Sequence, residues 1–276
     1  MKLIEAYEYG QKRLAEVQID DAALDAWYLL EYVTGISRAM YFLRMNEEMR
    51  AEQEEQYKGY IEVRASHIPL QHITGVQEFM GLEFCVNEHV LVPRQDTEVL
   101  VESALKVLKP GMKVLDMCTG SGCIIISLQK HAKELQGTGV DISEDALAVA
   151  RKNAEKLDAD VTFLHSDLFA GVSEKYDMII SNPPYIRTAV IEELKEEVKF
   201  HDPFLALDGK EDGLFFYRII VEESLNYLKE KGMLYFEIGH DQGDDVKKLM
   251  EEAGFVEVIV KKDLAGLDRV VCGMLQ

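Results

Sequence analysis

The sequence predicts a doubly wound α/β domain that follows a small helical domain. Residues 1–75 carry helical patterns and no strand signal, whereas short apolar segments alternate with stretches of helical length from Val99 onward. Such alternation is typical of a mostly parallel sheet with helices on both faces. The last two apolar segments have no long helix between them, so the final strand is predicted to pair antiparallel.

The N-terminal segment, residues 1–75, is predicted to be a helical bundle. Its clearest helix has Asp20 or Asp21 as the N-cap and stops at Gly35. A second helix, rich in Glu and Gln, is predicted over residues 49–63.

Residues 76–93 are predicted to be a β-hairpin linker between two domains. Its strands would be 79–86 and 90–92, with the turn at Asn87-Glu88-His89. The remaining residues, 94–276, would form the α/β domain. The predicted strands of its sheet are the seven apolar segments 114–116, 139–141, 161–164, 178–180, 233–238, 256–260 and 270–274.

The charge and the cysteines of the chain disfavour several function classes. With 50 acidic and 30 basic residues among 276, the net charge is -20, and such a surface repels nucleic acids and anionic membranes. No direct nucleic-acid or membrane partner is therefore expected. The four cysteines form no Cys-x-x-Cys pair and no His pair lies at zinc spacing beside them, so no metal site is predicted. Reduced thiols and an N-terminus without a long apolar stretch favour the cytoplasm.

A glycine-bearing turn, residues 116–123, joins the first strand of the sheet to the next helix. Ligands of doubly wound folds bind at this edge, and glycines let the backbone approach them closely. Two further acids, Asp141 and Asp167, follow the next two strands. Asp141 can accept hydrogen bonds from both ribose hydroxyls of a nucleoside. Asp167 suits an adenine amino group, with Leu168 or Phe169 over the ring.

This turn favours S-adenosylmethionine over a dinucleotide. A dinucleotide fingerprint needs a third glycine at position 125, which is Ile125 here. Asp116 would repel a pyrophosphate, whereas its charge favours the ammonium or sulfonium group of S-adenosylmethionine. Glycines alone are as typical of an ordinary strand-to-helix turn, but three acids at successive strand ends favour the binding interpretation.

A later strand runs into the tetrapeptide Asn182-Pro183-Pro184-Tyr185. The prolines alone are typical of a strand end, but they do not explain the asparagine and the tyrosine. A rigid turn without N–H donors can present the side-chain oxygen of Asn182 and the carbonyl of Pro183 to one NH2 group. Tyr185 supplies a flat face for a planar amide or base.

Methyl transfer to a planar nitrogen is the chemistry that this tetrapeptide predicts. The lone pair of such a nitrogen is delocalised, so two aligned acceptors raise its electron density and turn the lone pair toward the methyl group. The proton leaves after the transfer, and no metal is required. Asn182, Pro183 and Tyr185 are therefore candidate catalytic residues, and with Pro184 they are candidate substrate-binding residues.

On these residues the chain resembles the release-factor glutamine methyltransferases, the PrmC/HemK family, over nearly its whole length. The Asn-Pro-Pro-Tyr tetrapeptide is shared with DNA adenine and other amino methyltransferases. The segment 93–98 (Pro-Arg-Gln-Asp-Thr-Glu), together with the helical domain, is more particular to this family. The other matching segments are 69–75, 78–79, 116–122, 141, 166–167 and 236–239.

The resemblance implies a Rossmann-like class I S-adenosylmethionine methyltransferase with a seven-stranded, mostly parallel sheet. Its expected activity is N5-methylation of the glutamine in the Gly-Gly-Gln loop of peptide-chain release factors 1 and 2, with S-adenosylhomocysteine as product. The helical domain would help to dock the release factor, and a monomer is expected. The implied cofactor contacts are Cys118, Thr119, Gly120, Ser121, Gly122, Asp141, Leu168 and Asn182, beside Asp116 and Asp167 from the loop chemistry.

Two positions depart from the family's pattern. Cys118 stands where the family usually has the first glycine of the loop, which predicts a looser backbone approach to the cofactor. Leu168 stands where some relatives have tryptophan, which predicts weaker adenine stacking or stacking passed to Phe169.

Two other function classes stay open on the residues alone. A DNA or RNA adenine-N6 methyltransferase would use the same tetrapeptide on a flipped base, but it needs a basic recognition region. A non-catalytic cofactor-binding protein would have no need of an amine cradle. For Arg94, Thr97 and Glu98, a place near the methionine end of the cofactor or the substrate entrance and a structural salt bridge are equally expected.

Overall fold

The computed structural model describes all 276 residues, which divide into two compact units. The first unit comprises residues 1–75 and 196–201, and the second comprises residues 76–195 and 202–276. Residues 76–93, predicted as a linker, thus lie in the second unit. None of the helices combines the length and the apolar character that a bilayer span requires.

All seven apolar segments predicted as strands of the large sheet fall on strands. In chain order the helices are α1 (Leu3–Glu16), α2 (Ala22–Thr34), α3 (Arg38–Arg44), α4 (Ala51–Ala65), α5 (Leu70–Thr74), α6 (Gln95–Leu105), α7 (Cys123–His131), α8 (Glu144–Lys156), α9 (Thr188–Ile191), α10 (Glu196–His201), α11 (Phe204–Leu207), α12 (Phe215–Tyr227) and α13 (Gly243–Glu252). The strands are β1 (Val76–Phe79), β2 (Leu82–Cys85), β3 (Lys113–Met117), β4 (Gln136–Asp141), β5 (Val161–His165), β6 (Tyr176–Ser181), β7 (Leu228–Glu237), β8 (Phe255–Lys262) and β9 (Asp268–Leu275).

The first unit is the predicted helical bundle, and α1, α2 and α4 enclose its core. Gly35 ends α2 in the left-handed conformation at φ 67°, as its position predicts. Gly10 lets α1 approach α4, because a Cβ at Gly10 would overlap the Tyr57 hydroxyl and lie 2.8 Å from Ile61 Cδ1. The Tyr57 hydroxyl, buried at this crossing, donates to the carbonyl of Ala26 over 3.1 Å.

The hairpin forms, but its predicted turn is wrong. Strands β1 and β2 pair antiparallel around Met80 and Gly81, and residues 90–92 form no strand. Met80 (φ 53°) and Gly81 (φ 71°) both have positive φ, as a two-residue hairpin turn requires. The carboxylate of Glu98 accepts from the Met80 N–H over 2.6 Å and stabilises a conformation that methionine alone disfavours.

The second unit contains the predicted seven-stranded sheet, in the order β5-β4-β3-β6-β7-β9-β8. The pairs from β5 to β7 are parallel, while β9 pairs antiparallel with both β7 and β8. The prediction that the last strand pairs antiparallel is confirmed. Strand β9 lies between β7 and β8, and a short turn joins it to β8.

Both faces of this sheet are covered, since alternate residues of the central strands belong to different cores. On β6, Ile179 packs into one core with Tyr217 of α12, and Ile180 packs into the other with Leu100 of α6. After β5 the chain crosses to the other side of β3 and forms β6, so the connections leave in opposite directions at the β3–β6 pair. Ligands of doubly wound folds bind at such a point, outside the carboxyl ends of the strands.

Candidate active site

A cavity of about 200 Å³ lies in the second unit at the carboxyl edge of the sheet. Its wall comes largely from the turns after β3, β4, β5 and β6. The predicted site residues that line it are Cys118, Thr119, Gly120, Ser121, Asp141, Asp167, Leu168, Asn182 and Pro184. Those that lie outside its lining are Asp116, Gly122, Pro183 and Tyr185.

The turn after β3 closes onto Asp141 at the end of β4. The Gly120 N–H donates to Asp141 Oδ2 over 2.8 Å, and the Ser143 N–H donates to Oδ1 over 2.9 Å. Burial raises the pKa of Asp141, and these backbone donors oppose the rise. Each carboxylate oxygen keeps a lone pair for a ligand hydroxyl. The Gly120 amide, in contrast, is already engaged within the protein and is not free for a pyrophosphate.

Asp116 lies beneath the turn rather than in the cavity. Its side chain is fully buried, and its Oδ2 accepts from the Thr119 hydroxyl over 2.6 Å. Burial raises the pKa of Asp116 to about 7, although the hydrogen bond from Thr119 lowers it. Because Thr119 lines the cavity, Asp116 can influence a ligand there through Thr119 and through its charge.

Gly122 is the N-cap residue of α7 and is required by packing. Its φ is 78°, and a Cβ would lie 2.9 Å from Ile126 Cδ1 and 3.2 Å from the Cβ of Ala150. Any larger residue would push α7 away from α8, and with it the cavity-lining residues at the start of α7.

The two residues that depart from the family's pattern both have positive φ. Cys118 has φ 61° and Leu168 has φ 46°, a region that favours glycine. The Ser166 hydroxyl holds the turn at Leu168, because it donates to the Leu168 carbonyl over 2.9 Å and accepts from the Gly171 N–H over 2.6 Å. Burial raises the pKa of the Cys118 thiol well above its usual range, so the thiol is neutral.

Leu168 and Ile142 supply apolar surface inside the cavity, whereas Phe169 does not. Phe169 is 1% exposed and stacks on Tyr227 in the core, with ring centroids 4.7 Å apart. The expectation that stacking passes to Phe169 is therefore wrong, because the 3-10 turn beginning at Leu168 directs the next side chain into the core. Ile142 was missed by sequence reasoning, although it is 52% exposed and directly follows the strand-end acid Asp141.

Asn182 reaches the cavity from the end of β6. The hydroxyl of the preceding Ser181 donates to the Met117 carbonyl over 2.6 Å and joins the ends of β6 and β3. The Nδ2 of Asn182 lies 3.5 Å from the Thr97 hydroxyl oxygen, which approaches from α6. The asparagine amide is thus contacted by Thr97, which is buried and also lines the cavity.

The three residues after Asn182 occupy different environments. Pro184 lines the cavity, Pro183 is buried, and Tyr185 is half-buried against the core that includes Tyr217. Burial raises the pKa of the Tyr185 phenol well above its usual range, so the ring stays neutral.

The backbone after this tetrapeptide is fixed by contacts with residues that are distant in the chain. A Cβ at Gly209 would lie 2.7 Å from Tyr185 Cα, so only glycine fits there. The Ile186 N–H donates to the Leu207 carbonyl over 3.0 Å, and Gln242 Nε2 donates to the Tyr185 carbonyl over 3.1 Å. These contacts fix the turn in space.

Arg94 and Glu98, two of the charged residues of the family-specific segment, have different roles. Arg94 lines the cavity and also forms a salt bridge with the buried Asp202 over 2.7 Å. Glu98 supports the hairpin turn instead.

The charge of the cavity fits a cationic ligand. Its wall carries the carboxylates of Asp141 and Asp167, while the positive charge of Arg94 is offset by Asp202. A sulfonium or ammonium group is favoured by such a field, and a phosphate is not. Two carboxylates, apolar surface at Ile142 and Leu168, and a closed turn at Gly120 together fit a nucleoside with a positively charged side arm.

The chain is similar to known proteins along most of its length. Two family models match the chain: the PrmC N-terminal domain over residues 5–75 and the methyltransferase small domain over residues 95–198. The release factor glutamine methyltransferase of Geobacter sulfurreducens is 40% identical over 263 residues, which cover 95% of this chain and 93% of the relative. That of Caulobacter vibrioides is 40% identical over 279 residues, with coverage of 99% and 96%.

The chain belongs to the release factor glutamine methyltransferase family. It is therefore a methyltransferase, and the resemblance found in its sequence is confirmed. A solved methyltransferase structure from Pyrococcus furiosus has a TM-score of 0.54 with 17% identity, and the match covers 70% of this chain and 89% of that chain. At this identity the likeness concerns the fold alone, which is that of the class I methyltransferases.

Sequence patterns did not indicate two further polar residues near the tetrapeptide, Glu237 and Gln242. Glu237 ends β7 beside Asn182, and Gln242 lies five residues later at the start of α13. Glu237 lies within a segment that carries the resemblance, 236–239, which was the available signal. For Gln242 the linear sequence offers no signal, because its partners Tyr185 and Gly213 are distant in the chain.

Proposed function

We propose that this methyltransferase transfers the methyl group of S-adenosylmethionine to the N5 amide nitrogen of the glutamine in the Gly-Gly-Gln loop of peptide-chain release factors 1 and 2. One combined observation supports the proposal. The chain belongs to the family over nearly its whole length, and Asn182 and Pro184 line a cavity whose charge fits a cationic ligand. The enzyme acts as a monomer in the cytoplasm, where release factors are made and used.

The cofactor occupies the cavity described above. When bound, S-adenosylmethionine supplies an electrophilic methyl group on a sulfonium sulfur. Asp141 accepts hydrogen bonds from its ribose, Asp167 accepts from its adenine amino group, and Leu168 and Ile142 contact the adenine ring. Thr119, backed by Asp116, lies beside the methionine arm.

The substrate amide is held by the tetrapeptide. The Asn182 side-chain oxygen and the Pro183 carbonyl accept from the two hydrogens of the glutamine NH2, and Tyr185 lies along its plane. Because the NH2 lone pair is delocalised, this polarisation and the fixed orientation supply most of the rate. The extra proton of the methylated nitrogen is acidic and leaves to solvent, so no general base is needed.

The helical unit docks the body of the release factor. Supporting this role, Phe42 and Leu43 at the end of α3 are 66% and 79% exposed, which is unusual for large apolar side chains that lie next to each other. Replacing both by serine should raise KM for the release factor and leave kcat unchanged. An unchanged KM would remove this role.

The test of the proposed function is transfer of labelled methyl from S-adenosylmethionine to unmethylated release factor 1. A release factor with its loop glutamine replaced by alanine is the matched control. Label on the first and none on the second supports the proposal. No label on either, while the enzyme binds S-adenosylmethionine, contradicts it and directs attention to adenine in nucleic acid.

Asn182→Ala tests the mechanism separately from the substrate. We expect a loss of about 100-fold or more in kcat with cofactor binding retained, as when one preorganised polar group is removed. Activity near that of the wild type would contradict the role of Asn182.

A further inference from the structure

Glu237 is a buried acid next to the reactive tetrapeptide that the proposed transfer does not use. In the register of the parallel strands, Ser181 pairs with Phe236, so Asn182 and Glu237 follow paired residues at the same edge of the sheet. Glu237 is 2% exposed, and its Oε2 has no hydrogen-bond partner. A buried carboxyl without a salt bridge is costly, so its presence calls for a reason.

Two polar side chains face the Glu237 carboxyl, those of Thr97 and Asn182. Both stabilise its ionised form, while burial raises its pKa to about 7. Arg269 also favours the ionised form, but its guanidinium pairs with Asp96 and Asp263, each over 3.1 Å. The ionisable groups that interact electrostatically with Glu237 are Arg269, Asp96, Tyr185, Tyr217 and Cys123.

The Asn182 amide has two unlike ends, an oxygen that only accepts and an NH2 that only donates. The hydroxyl oxygen of Thr97, 3.5 Å from Nδ2, and the Glu237 carboxylate both offer acceptors to the same end of this amide. Thr97 also lines the cavity, whereas Glu237 lies outside its lining. The NH2 end is therefore favoured toward Thr97 and Glu237, which leaves the oxygen end for the substrate. If the amide were flipped, it would present a donor to the NH2 of a substrate glutamine and repel it.

We propose that Glu237, together with Thr97, fixes the orientation of the Asn182 amide, and so is a positioning residue for the methyl-accepting nitrogen. The inference rests on the proposed function, since it assumes that the substrate presents an NH2 group to Asn182. Glu237 itself touches neither the substrate nor the cofactor.

Glu237→Gln is the first variant to test, because it keeps the shape of the side chain and removes its preference for a donor. We expect kcat for release factor methylation to fall about tenfold or more, by loss of orientation. The KM for the release factor and the Kd for S-adenosylmethionine should change less than twofold. Glu230→Gln, an exposed glutamate on the same strand, is the matched control and should leave kcat unchanged.

The pH profile separates positioning from a merely structural role. In the wild type, the Glu237 carboxylate predominates above pH about 7 and accepts from the Asn182 NH2. The protonated carboxyl can itself donate a hydrogen bond, so it no longer favours the NH2 end of Asn182 over the oxygen end. With cofactor saturating, kcat should therefore rise with pH through this region. In Glu237→Gln this rise of kcat with pH should be smaller. The remaining pH dependence is attributed to Asp116, because burial also raises the pKa of Asp116 to about 7.

A second pair of variants keeps the proposal testable if Glu237→Gln unfolds. Thr97→Val removes the hydroxyl acceptor and should lower kcat, and Thr97→Ser restores the hydroxyl and should recover part of the lost rate. An undiminished kcat in Glu237→Gln and Thr97→Val, or an unaltered pH profile in the former, overturns this inference while wild-type transfer still supports the proposed function. Absence of transfer by the wild type overturns both.

Discussion

The side-chain amide of Gln242 donates to the backbone carbonyl of Tyr185 over 3.1 Å. The same nitrogen donates to the Gly213 carbonyl over 3.2 Å, and the Gln242 oxygen accepts from the Gly239 N–H over 2.9 Å. One buried glutamine thus ties the reactive turn after β6 to the segment before α12 and to the turn after β7. These hydrogen bonds add to the one between the Ile186 N–H and the Leu207 carbonyl, and together they fix the position of the backbone after the tetrapeptide.

Gln242→Ala should impair methylation without preventing cofactor binding. It leaves three buried backbone groups without their partner, at about 1–3 kcal/mol each before relaxation. We expect Tyr185 to shift and kcat to fall about tenfold, since small displacements of positioning groups have such effects. The measurements are kcat for labelled methyl transfer and calorimetric affinity for S-adenosylmethionine. Gln136→Ala, at an exposed glutamine of the same unit, is the control, and equal kcat values for the two variants would contradict the role of Gln242.

Most of the fold could be predicted because it depends on local periodicity. Strand segments such as Met178–Ile180 were recognised from apolar runs between helices, and the antiparallel last strand from the missing crossover. The hairpin turn could not be placed, since Met80 carries no turn signal and its positive φ depends on Glu98, eighteen residues away. Asn87-Glu88-His89 has the more typical turn composition, and local composition was overruled by tertiary contacts.

The site could be predicted only as far as strand ends could be recognised. Asp141, Asp167 and Asn182 each follow a strand, and the parallel sheet brings them to one cavity. Asp116 was placed near the ligand by the same logic, but its burial under Thr119 depends on how the turn folds back. Phe169 and Ile142 show the same limit, because which of two apolar residues faces a cavity depends on a single backbone turn.

Asp116→Asn should change the pH dependence of stability. The folded-state pKa of about 7 lies above the ordinary value of 3.8, so the folded protein prefers the protonated carboxyl. Stability contributed by this group is present at low pH and is lost as pH rises toward 7, by about 4 kcal/mol at most. Asparagine cannot ionise, so the variant should gain stability relative to the wild type between pH 5 and pH 8. Urea unfolding at pH 5 and pH 8 measures the free energy of unfolding of both proteins. Glu237 is present in both, so its contribution cancels when the variant is compared with the wild type. A difference independent of pH would show that Asp116 is not the titrating group.

Cys118→Gly and Cys118→Val should have opposite consequences for the cofactor turn. At φ 61°, glycine removes a conformational cost of on the order of 1 kcal/mol, which partly offsets its greater entropy in the unfolded chain. Stability should thus change little and affinity for S-adenosylmethionine should be kept or improved. Valine has a branched Cβ that this conformation disfavours, so we expect a loss of about 1–3 kcal/mol and weaker binding.

Thermal melts and calorimetric titration measure both effects at Cys118. Cys85→Val is the control, because Cys85 lies in strand β2, where branched residues are favoured. Cofactor affinity in Cys118→Val equal to that of the wild type would mean that the turn tolerates the side chain and that the positive φ carries no cost there.

Arg64→Ala should destabilise the helical unit through the acid that it leaves behind. Arg64 and Asp25 are 5% and 6% exposed, and Arg64 Nε donates to Asp25 Oδ2 over 2.7 Å. Removing one partner of such a buried pair costs about 3–5 kcal/mol, because the remaining charge is not solvated. The double variant Arg64→Met with Asp25→Leu should recover most of this loss, since no charge then stays buried.

Trp27, the one tryptophan of the chain, is 5% exposed in α2, so its fluorescence during urea unfolding reports on this unit. Arg13→Ala breaks an exposed ion pair with Glu62 in the same unit and should have a much smaller effect. If the double variant were as unstable as Arg64→Ala, the loss would come from the packing of the arginine side chain or from its bonds to the Ile68 carbonyl and Glu197, and not from the unpaired carboxylate of Asp25.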